Sequence, residues 1–421
     1  MKETQSMERR ILGPADTDAS SPAAATGRER HVAVVTPWYP DAEAPYNGAF
    51  VEAMVEAVAP RLDRIDVYHV YGWQIRGNAA QRRSSWDLQE RLLPRSAHPV
   101  PGVGGSALRR IPAPVPRTKD WAVHAETSAA WLGKALGGRP IEAPVVHAHV
   151  PILGGHAALE HCLPDARVYL TEHSSFLETV LAQPAARDLY DRAMDRCAGF
   201  FVVGAPLREL IGRTFPHHAD KIRYIPNPVA FDTRREHPPA RLRRWLSVAA
   251  LSERKRVGYL LDGFAQCRAD EPDLHLTVAG EGPLRAELEA RRDDLGLAGA
   301  VDFLGAVEPA DIPGLMAEHD LLVHTSRHET FGVVVAEALA VGIPVLVSRC
   351  GGPEQILEGA EDDAGQFFDV DDDPLALVEG YRLLRERHPE KTDLDRVREL
   401  LRGRYSPEAV ADRHVRIWYG E

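Results

Sequence analysis

The stretch HDLLVHTSRHETFGVVVAEALAVGIPVLVS, residues 319–348, decides the fold class of this chain. It contains two short apolar runs, 319–326 and 343–348, which flank a loop and an apolar helical segment that begins near Gly332. Short apolar runs with β-branched residues predict strands that are buried on both faces, as in parallel sheets. The stretch therefore predicts a strand, a helix and a second strand of one parallel sheet.

The same alternation of apolar runs and helical segments extends over most of the 421 residues. Further runs in the second half are WLSVAAL (245–251), LHLTVAG (274–280) and VDFLG (301–305). Those in the first half are HVAVVTPWYP (31–40), IDVYHVY (65–71), PVVHAHV (144–150), ARVYLTEH (166–173), GFFVVG (199–204) and KIRYIPN (221–227). This order predicts an α/β protein with doubly wound parallel sheets.

The segment VAFDTRREHPPARLR, residues 229–243, interrupts the alternation with charges and a Pro-Pro pair, which is typical of a linker. It divides the chain into two Rossmann-like domains, 31–228 and 244–395, which face each other across a cleft. Residues 396–421 are predicted to form a C-terminal helix that packs back on the N-terminal domain. Residues 1–30 lack the roughly 7–15 apolar residues of a signal peptide and predict a disordered tail.

Composition argues against several classes of protein. The 50 Lys and Arg against 62 Asp and Glu give a net charge of −12, so a nucleic-acid partner is not expected. No apolar run reaches the roughly 18 residues that a transmembrane helix needs. The 4 cysteines are spread along the chain without a C-x-x-C pair, which predicts buried thiols in a reducing compartment. These patterns predict a cytoplasmic protein without a membrane span.

Two glutamates in the stretch SRHETFGVVVAEALAVG, residues 326–342, are candidate binding residues. Glu329 ends a loop, and the free backbone N–H groups at the start of the helix that follows can bind an anion or sugar oxygens. Glu337 lies in an otherwise apolar helix, where an unpaired buried carboxylate is costly, so we expect it to face a cleft or a partner. Carboxylates accept hydrogen bonds from paired hydroxyls, as in a ribose or a hexose. A surface glutamate and a structural salt bridge are the alternative explanation.

The second half of the chain resembles glycosyltransferase family 4, which has the GT-B fold. The segments AGEGPLRAELE (279–289), VDFLGAV (301–307) and HDLLVHTSRHETFGVVVAEALAVGIPVLVSRCGG (319–352) match the family pattern in order and spacing. The resemblance extends from His31 to about residue 415. It implies that Glu337 binds the ribose hydroxyls of a nucleotide sugar. It also implies that the transferred sugar is held by Glu329 and by the backbone amides of Thr330, Phe331 and Gly332.

The resemblance implies further roles near the start of the second domain. In SVAALSERKRVGYLL, residues 247–261, Lys255 matches the lysine that neutralises the donor diphosphate in the family. An arginine usually precedes that lysine by five or six residues, but those positions are Ala250 and Ala249 here. Arg254 and Arg256 are the neighbouring cations that can substitute. A solvated turn is the alternative explanation for ERKR.

In the first half, PWYPDAEAPYNGAFVEAMVEAVA, residues 37–59, resembles the opening strand, loop and helix of the family. Gly48 stands where the backbone would approach the diphosphate, although a glycine before a helix also suits a simple turn. His149 and His173 follow apolar runs and match family histidines, and isolated histidines there can also be structural. The resemblance implies that His173 lies near the transferred sugar and its leaving phosphate, and that His149 is a further substrate contact.

The implied activity is that of a retaining glycosyltransferase, with His173, Lys255 and Glu329 as its catalytic residues. It would move a hexose or an N-acetylhexosamine from a nucleoside-diphosphate sugar, with UDP favoured, to an acceptor hydroxyl in natural-product, polysaccharide or glycan biosynthesis. No cofactor and no metal are expected, since no D-x-D lies between predicted strands and no His/Cys cluster has ligand spacing. A nucleotide-sugar epimerase and a non-catalytic nucleotide-sugar-binding subunit are the alternatives. A small soluble acceptor is favoured over a lipid-linked or polymeric glycan.

One region, residues 75–120, fits neither domain pattern well because it is rich in arginine and proline. Its basic side chains are Arg82, Arg83, Arg109, Arg110, Arg117 and Lys119. Solvated loops and short helices are the expectation for such a cluster. An insertion that binds the acceptor is the alternative.

Overall fold

The computed structural model describes residues 29–74 and 78–421. Residues 1–28 of the predicted disordered tail over 1–30 lie outside this described part. The described chain forms two sheets, of eight and six strands, and helices cover them. The prediction of an α/β fold with two Rossmann-like domains is therefore confirmed.

The first domain is built on the eight-stranded sheet, with the strand order β3-β4-β2-β1-β5-β6-β7-β8. The strands are β1 (His31–Thr36), β2 (Arg64–Gln74), β3 (Val100–Pro101), β4 (Ala107–Val115), β5 (Val145–His149), β6 (Arg167–Glu172), β7 (Gly199–Val202) and β8 (Ile222–Tyr224). The helices are α1 (Ala49–Val58), α2 (Ala79–Ser96), α3 (Trp121–Ala135), α4 (His156–His161), α5 (Leu177–Leu181), α6 (Pro184–Arg196) and α7 (Ala205–Thr214). All pairs are parallel except β3 with β4.

The second domain is built on the parallel six-stranded sheet, with the order β11-β10-β9-β12-β13-β14. Its strands are β9 (Arg244–Val248), β10 (His275–Ala279), β11 (Val301–Gly305), β12 (Leu321–His324), β13 (Val345–Ser348) and β14 (Gly365–Phe368). The helices are α8 (Val257–Asp270), α9 (Arg285–Asp294), α10 (Ile312–Ala317), α11 (Val333–Val341), α12 (Gly352–Leu357), α13 (Glu361–Ala364), α14 (Leu375–Arg387), α15 (Leu394–Tyr405) and α16 (Pro407–Tyr419).

The strand order reverses once in each sheet, and these reversals position the cleft. In the first sheet it reverses between β1 and β5, and in the second between β9 and β12. Ligands of doubly wound sheets bind at the carboxyl ends of the strands beside such a reversal. One apolar cluster holds residues of both domains, among them Leu207 and Phe331. The two crevices are thus parts of one cleft.

The expectation of loops and short helices over 75–120 is wrong. This region contains the 18-residue helix α2 and the strand β4, which pairs with β2 over its whole length. The β4 sequence ALRRIPAPV does not predict a strand, because Pro112 and Pro114 lack a backbone N–H donor. Both prolines lie beyond the two residues at which β3 pairs with β4, and there no strand of the described chain pairs with the outer side of β4. Proline is tolerated at such an edge.

The end of the chain forms two helices where one was predicted over 396–421. Helix α15 ends at Tyr405, and the Ser406 side chain then accepts a hydrogen bond from the backbone N–H of Ala409 to begin α16. Pro407 suits the first turn of a helix but not its interior, which explains the break. Helix α16 packs on α1 of the first domain through a buried cluster that includes Val55 and Trp418.

The segment between β8 and β9, residues 225–243, contains no helix or strand. It is the first of two places where the chain passes between the domains, and α16 is the second. No helix within 29–74 and 78–421 is both long enough and apolar enough to cross a bilayer.

Candidate functional site

The centre of the site on the second domain is the buried carboxylate of Glu329, in the loop between β12 and α11. Its Oε1 atom accepts hydrogen bonds from Nζ of Lys255 at 2.5 Å and from Nη1 of Arg254 at 3.1 Å. Nε2 of His324 lies 3.4 Å from the same oxygen. Burial alone would raise the pKa of Glu329, but these neighbours, Lys255 above all, hold the pKa well below its usual range. Glu329 is therefore ionised and paired with two cations.

The cations at Glu329 come from the turn after β9, where three basic residues are consecutive. Arg254 and Lys255 reach Glu329, whereas Arg256 points elsewhere. The guanidinium of Arg256 lies 4.0 Å from the ring centre of Tyr259 and donates to the carbonyl oxygen of Asp371. Of the two candidate replacements for the family arginine, only Arg254 therefore lies at the site.

The positions of the family arginine carry small side chains at the end of β9. Ala250 is exposed and Ala249 is half-buried. An added Cβ at Gly280 would lie 1.9 Å from the Ala249 carbonyl oxygen, so the two backbones are in contact. Neither alanine can supply the charge of the family arginine.

The loop after Glu329 leads directly into α11 and touches the other domain. Gly332 precedes the helix with a φ of 89°, a conformation that glycine adopts without strain. The hydroxyl of Thr330 donates to the carbonyl oxygen of His173 at 3.3 Å. The Phe331 side chain is buried and packs edge-on against Tyr405, so only its backbone can face a ligand.

Glu337 lies in the second turn of α11 and is only partly buried. Its carboxylate has no hydrogen-bond or ion-pair partner among the described residues, which makes it unlike Glu329. Burial raises the pKa of Glu337 to about 7. Within residues 29–74 and 78–421, the Glu337 carboxylate is therefore a hydrogen-bonding group without a partner.

The first domain contributes two histidines at the carboxyl ends of adjacent strands. His149 ends β5 and His173 follows β6, and their Nδ1 and Nε2 atoms, respectively, lie 2.9 Å apart. Burial lowers the pKa of both imidazoles, that of His173 to about 3. Nδ1 of His173 is buried and has no hydrogen-bond partner among the residues that the structure describes. Both rings are thus neutral, and one nitrogen of His173 is unused.

Two residues with positive φ follow site residues directly. Val150, which comes after His149, has a φ of 58°, and Arg256, which comes after Lys255, has a φ of 54°. A β-branched residue in this region is an outlier, and such strain costs on the order of 1–3 kcal/mol. The surrounding structure therefore maintains both turns at the points where His149 and Lys255 are positioned.

Gly48 precedes α1 with a φ of 74°, and an added Cβ would lie 2.4 Å from the backbone carbonyl carbon of Trp38. Both facts require glycine, because a side chain would be strained and would collide with the backbone. The requirement for glycine at this position therefore comes from the contact between two loops. The structure assigns no ligand to Gly48, and its approach to a diphosphate stays a prediction.

Sequence reasoning missed two residues of the site. Glu172 is completely buried, and its Oε1 accepts from the backbone N–H groups of His173 and Ser174 at 2.8 and 2.7 Å. Burial raises the pKa of Glu172 despite these bonds. The other missed residue is His324, which contacts Glu329 from inside β12. Each lies inside or directly after an apolar run, and a polar residue there is the signal that could have identified it.

Within the described residues, one group has the arrangement of possible metal ligands, and it consists of Asp191, His217 and His218. It belongs to helix α6 and to the turn after α7. None of these three residues is among the residues predicted for the site.

Two family descriptions match adjacent parts of the chain. The description "Glycosyltransferase Family 4" covers residues 87–233, and "Glycosyl transferases group 1" covers residues 231–396. Together they cover the second domain, the first domain from residue 87 onward and every predicted site residue except Gly48. The chain belongs to glycosyltransferase family 4. The family resemblance of the sequence and the GT-B fold are confirmed.

Curated relatives share limited sequence identity with this family 4 chain. The phosphatidylinositol N-acetylglucosaminyltransferase gpi3 subunit of Schizosaccharomyces pombe is 23% identical over 225 residues, which are 51% of this chain and 49% of that protein. A GDP-mannose-dependent alpha-(1-6)-phosphatidylinositol dimannoside mannosyltransferase of Mycobacterium tuberculosis is 31% identical over 177 residues, 39% of this chain and 44% of that protein. The matched stretches span about half the length of these relatives.

Solved structures of similar fold cover nearly the whole chain. Sucrose-phosphate synthase from Thermosynechococcus elongatus superposes with a TM-score of 0.72 at 18% identity, over 93% of this chain and 98% of that one. HepE from Anabaena, in complex with UDP and glucose, superposes with a TM-score of 0.65 at 17% identity, over 94% and 100%. At these identities the likeness establishes the fold.

Proposed function

We propose that this chain is a retaining glycosyltransferase that moves a hexose or an N-acetylhexosamine from a UDP-sugar to an acceptor hydroxyl. The observation that carries the proposal is the pairing of Lys255 and Arg254 at Glu329, on the loop whose Thr330 hydroxyl bonds the His173 carbonyl. Two cations, a carboxylate and a neutral imidazole thereby meet at one cleft between two domains. Groups of these types can bind the charged diphosphate and the hydroxyls of a nucleoside-diphosphate sugar.

The donor would be held mainly by the second domain. Lys255 and Arg254 would neutralise the diphosphate in place of a metal ion, since charge on the leaving group is what the transition state must stabilise. Glu329 would accept hydrogen bonds from the sugar hydroxyls. The backbone amides at the start of α11 would donate hydrogen bonds to the sugar oxygens. The ribose hydroxyls would donate to Glu337, which has no partner in the part of the chain that the structure describes.

In the proposed reaction the bond between the anomeric carbon and the diphosphate oxygen breaks, and a bond to the acceptor oxygen forms on the same face. The acceptor proton passes to the departing phosphate oxygen. His173 is neutral, so it would act as a hydrogen-bonding group through its unused Nδ1 and not as an acid. Contact between the domains excludes water, which limits hydrolysis of the donor.

The donor and the pathway are the less constrained parts of the proposal. UDP is favoured on the family resemblance alone, whereas the mannosyltransferase of M. tuberculosis is named for GDP-mannose. Natural-product and polysaccharide or glycan biosynthesis remain the proposed settings, with a small soluble acceptor and a cytoplasmic location.

Thermal-shift binding of UDP, GDP, dTDP and ADP sugars is the experiment that tests the function. A ligand at about 100 times its Kd stabilises the folded chain by about 2.7 kcal/mol. We expect one nucleotide to stabilise the wild type, and Glu337→Gln to weaken its binding by about 1–3 kcal/mol. Glu379→Gln, an exposed glutamate on α14, is the matched control. Binding without turnover would instead favour a non-catalytic subunit, and donor consumption that needs no acceptor would favour an epimerase.

The raised pKa of Glu337 predicts a dependence on pH. Because folding disfavours the ionised form, the free protein loses stability as the pH rises from about 4.5 to 7. We therefore expect Glu337→Gln to melt at a higher temperature than the wild type at pH 8, and the difference to disappear below about pH 4.5. Donor affinity of the wild type should fall as the pH drops below about 7, because the protonated acid is a weaker acceptor for hydroxyls. A pH-independent difference would contradict this reasoning.

Contact between the domains can be tested at Gly204, the residue before α7. An added Cβ at Gly204 would lie 1.8 Å from the Thr330 carbonyl oxygen, while its φ of −165° suits any residue. Gly204→Ala should therefore leave the first domain unstrained and hinder its contact with the second. We expect kcat to fall about tenfold, since misplaced groups lose rate steeply, with an unchanged circular dichroism spectrum. Gly212→Ala in α7, where the added Cβ meets nothing, is the control.

A further inference from the structure

Two histidines and an aspartate of the first domain converge on one point outside the cleft. Nε2 of His217 and Nε2 of His218 each lie 2.9 Å from the same carboxylate oxygen, Oδ1 of Asp191. Each of the three side chains offers one ligand atom, and these atoms lie within 4.8 Å of one another. The three residues are here called the Asp-His-His cluster.

The Asp-His-His cluster lies at the opposite edge of the first sheet from His149 and His173. Asp191 is in the second half of α6, which leads into the start of β7. The two cluster histidines lie in the turn Pro216–Lys221, which leads into the start of β8. The cluster is therefore beside the amino ends of strands, whereas His149 and His173 lie at carboxyl ends. Its chemistry is independent of the proposed glycosyl transfer.

The turn that carries the two histidines is fixed at both ends. At its start, the buried ring of Phe215 stacks on Tyr190 of α6 at 5.6 Å between ring centres. The His217 ring meets Phe215 edge to face at 6.4 Å. At the end of the turn, Nζ of Lys221 donates to three carbonyl oxygens at the end of α6, which lie 2.7–3.2 Å away. Ligand atoms that are ordered before binding lose little conformational entropy when an ion arrives.

The cluster combines one buried ligand with two that solvent can reach. The side chain of His218 is 5% exposed, whereas those of Asp191 and His217 are 39% and 57% exposed. An ion can therefore enter from solvent and meet one fixed imidazole. Asp195, one turn after Asp191 on the same face of α6, lies 3.6 Å from Nε2 of His218 and adds a second negative charge.

The spacing of the ligand atoms fits a tetrahedral zinc ion. Zn²⁺ binds histidine nitrogen and carboxylate oxygen at about 2.0–2.2 Å, so two ligand atoms of its tetrahedron are about 3.3 Å apart. The distance of 2.9 Å from Asp191 to each imidazole is within a few tenths of an ångström of that separation. Two imidazoles and one carboxylate also suit zinc by type, whereas Mg²⁺ and Ca²⁺ prefer oxygen ligands alone.

We propose that the Asp-His-His cluster binds a Zn²⁺ ion through Nε2 of both histidines and Oδ1 of Asp191, with water in the fourth position. Coordination uses the Nε2 lone pairs, so each neutral imidazole carries its proton on Nδ1 in the bound state. The ionised carboxylate offsets one of the two charges of the ion. The bound ion joins α6 to the turn before β8. It is separate from the donor diphosphate, for which the cations of the second domain are proposed.

Zinc binding by the full chain, prepared without a histidine tag and treated with a chelator, tests the site. We expect calorimetry to detect one Zn²⁺ per chain with micromolar affinity, because three protein ligands bind more weakly than the four of a typical structural site. Zn²⁺ should also raise the melting temperature, since an ion that binds only the folded chain stabilises it. Mg²⁺ should do neither. Co²⁺ in place of zinc should show the strong visible absorption of tetrahedral cobalt, and a weak spectrum like that of the aqueous ion would contradict the site.

Variants of the cluster show whether the zinc is bound there. His217→Ala and Asp191→Asn should each weaken zinc binding at least about tenfold. Both side chains are partly accessible, so the circular dichroism spectrum should be unchanged. His98→Ala, at an exposed histidine of the same domain, is the matched control and should bind zinc like the wild type. The absence of saturable zinc binding, or equal affinity in the wild type and both cluster variants, would overturn the site.

Discussion

Lys255→Ala is expected to lower kcat/KM for sugar transfer by ~10²–10³-fold, the range found when one charge-stabilising group is removed from an active site. Lys255 donates to Glu329 at 2.5 Å and is only 14% exposed. Its removal takes away the cation proposed for the diphosphate and leaves Glu329 with Arg254 and His324 alone. Release of nucleoside diphosphate in a coupled assay measures the loss.

The same substitution also changes the electrostatics of Glu329. Because the charge of Lys255 is the largest favourable influence on the ionised carboxylate, Lys255→Ala should raise the pKa of Glu329. Lys255→Arg keeps the charge but not the geometry, so it should recover only part of the activity. The exposed Lys391→Ala is the matched control and should leave kcat/KM unchanged. A Lys255→Ala protein with kcat/KM within about threefold of the wild type would remove Lys255 from the proposed mechanism.

His173→Ala is expected to lower kcat by ~10²-fold, since a group that positions the reacting atoms contributes on this scale. Donor affinity, measured by calorimetry, should change by less than about threefold, because the residues proposed to bind the diphosphate and the ribose, Lys255, Arg254 and Glu337, lie on the other domain. Equal losses in kcat and in donor affinity would make His173 only a binding residue. His98→Ala, an exposed histidine, is the control.

The pH profile separates the possible roles of His173. Burial, with a smaller contribution from the charge of His414, lowers the pKa of His173 to about 3. The imidazole is therefore neutral between pH 5 and 9, and its titration should produce no inflection in kcat over this range. An inflection near pH 6.5 that disappears in His173→Ala would indicate that the ring acts as an acid or a base.

Local patterns in the sequence predicted most elements of the fold but not all. The runs that became β1, β5 and β12 are buried throughout, so their composition reflects their environment directly. The strand β4 was not predicted because Pro112 and Pro114 are poor strand residues in the interior of a sheet. The two prolines are tolerated because that part of β4 lies at an edge of the sheet, and the position of the edge depends on the order of all the strands.

The candidate site was also predicted only in part. Glu329, Glu337, Lys255 and His173 were identified from the sequence because their types and spacing match a family. The interactions between these residues could not be predicted from the sequence. Lys255 and Glu329 are 74 residues apart, and Thr330 and His173 are 157 residues apart, so no local pattern relates them. Nor did any spacing indicate that Arg254 would face Glu329 while Arg256 would turn towards Asp371.

The sequence by itself determined the α/β class, the two domains and the residue types available at the cleft, because short-range periodicity records which face of each segment is buried. The tertiary structure alone decided which cations meet Glu329, that Glu337 has no partner among the described residues, and that Thr330 of the second domain contacts His173 of the first. These depend on strand order and on contact between domains, which bring distant residues within a few ångströms. No pattern within a single segment carries that information.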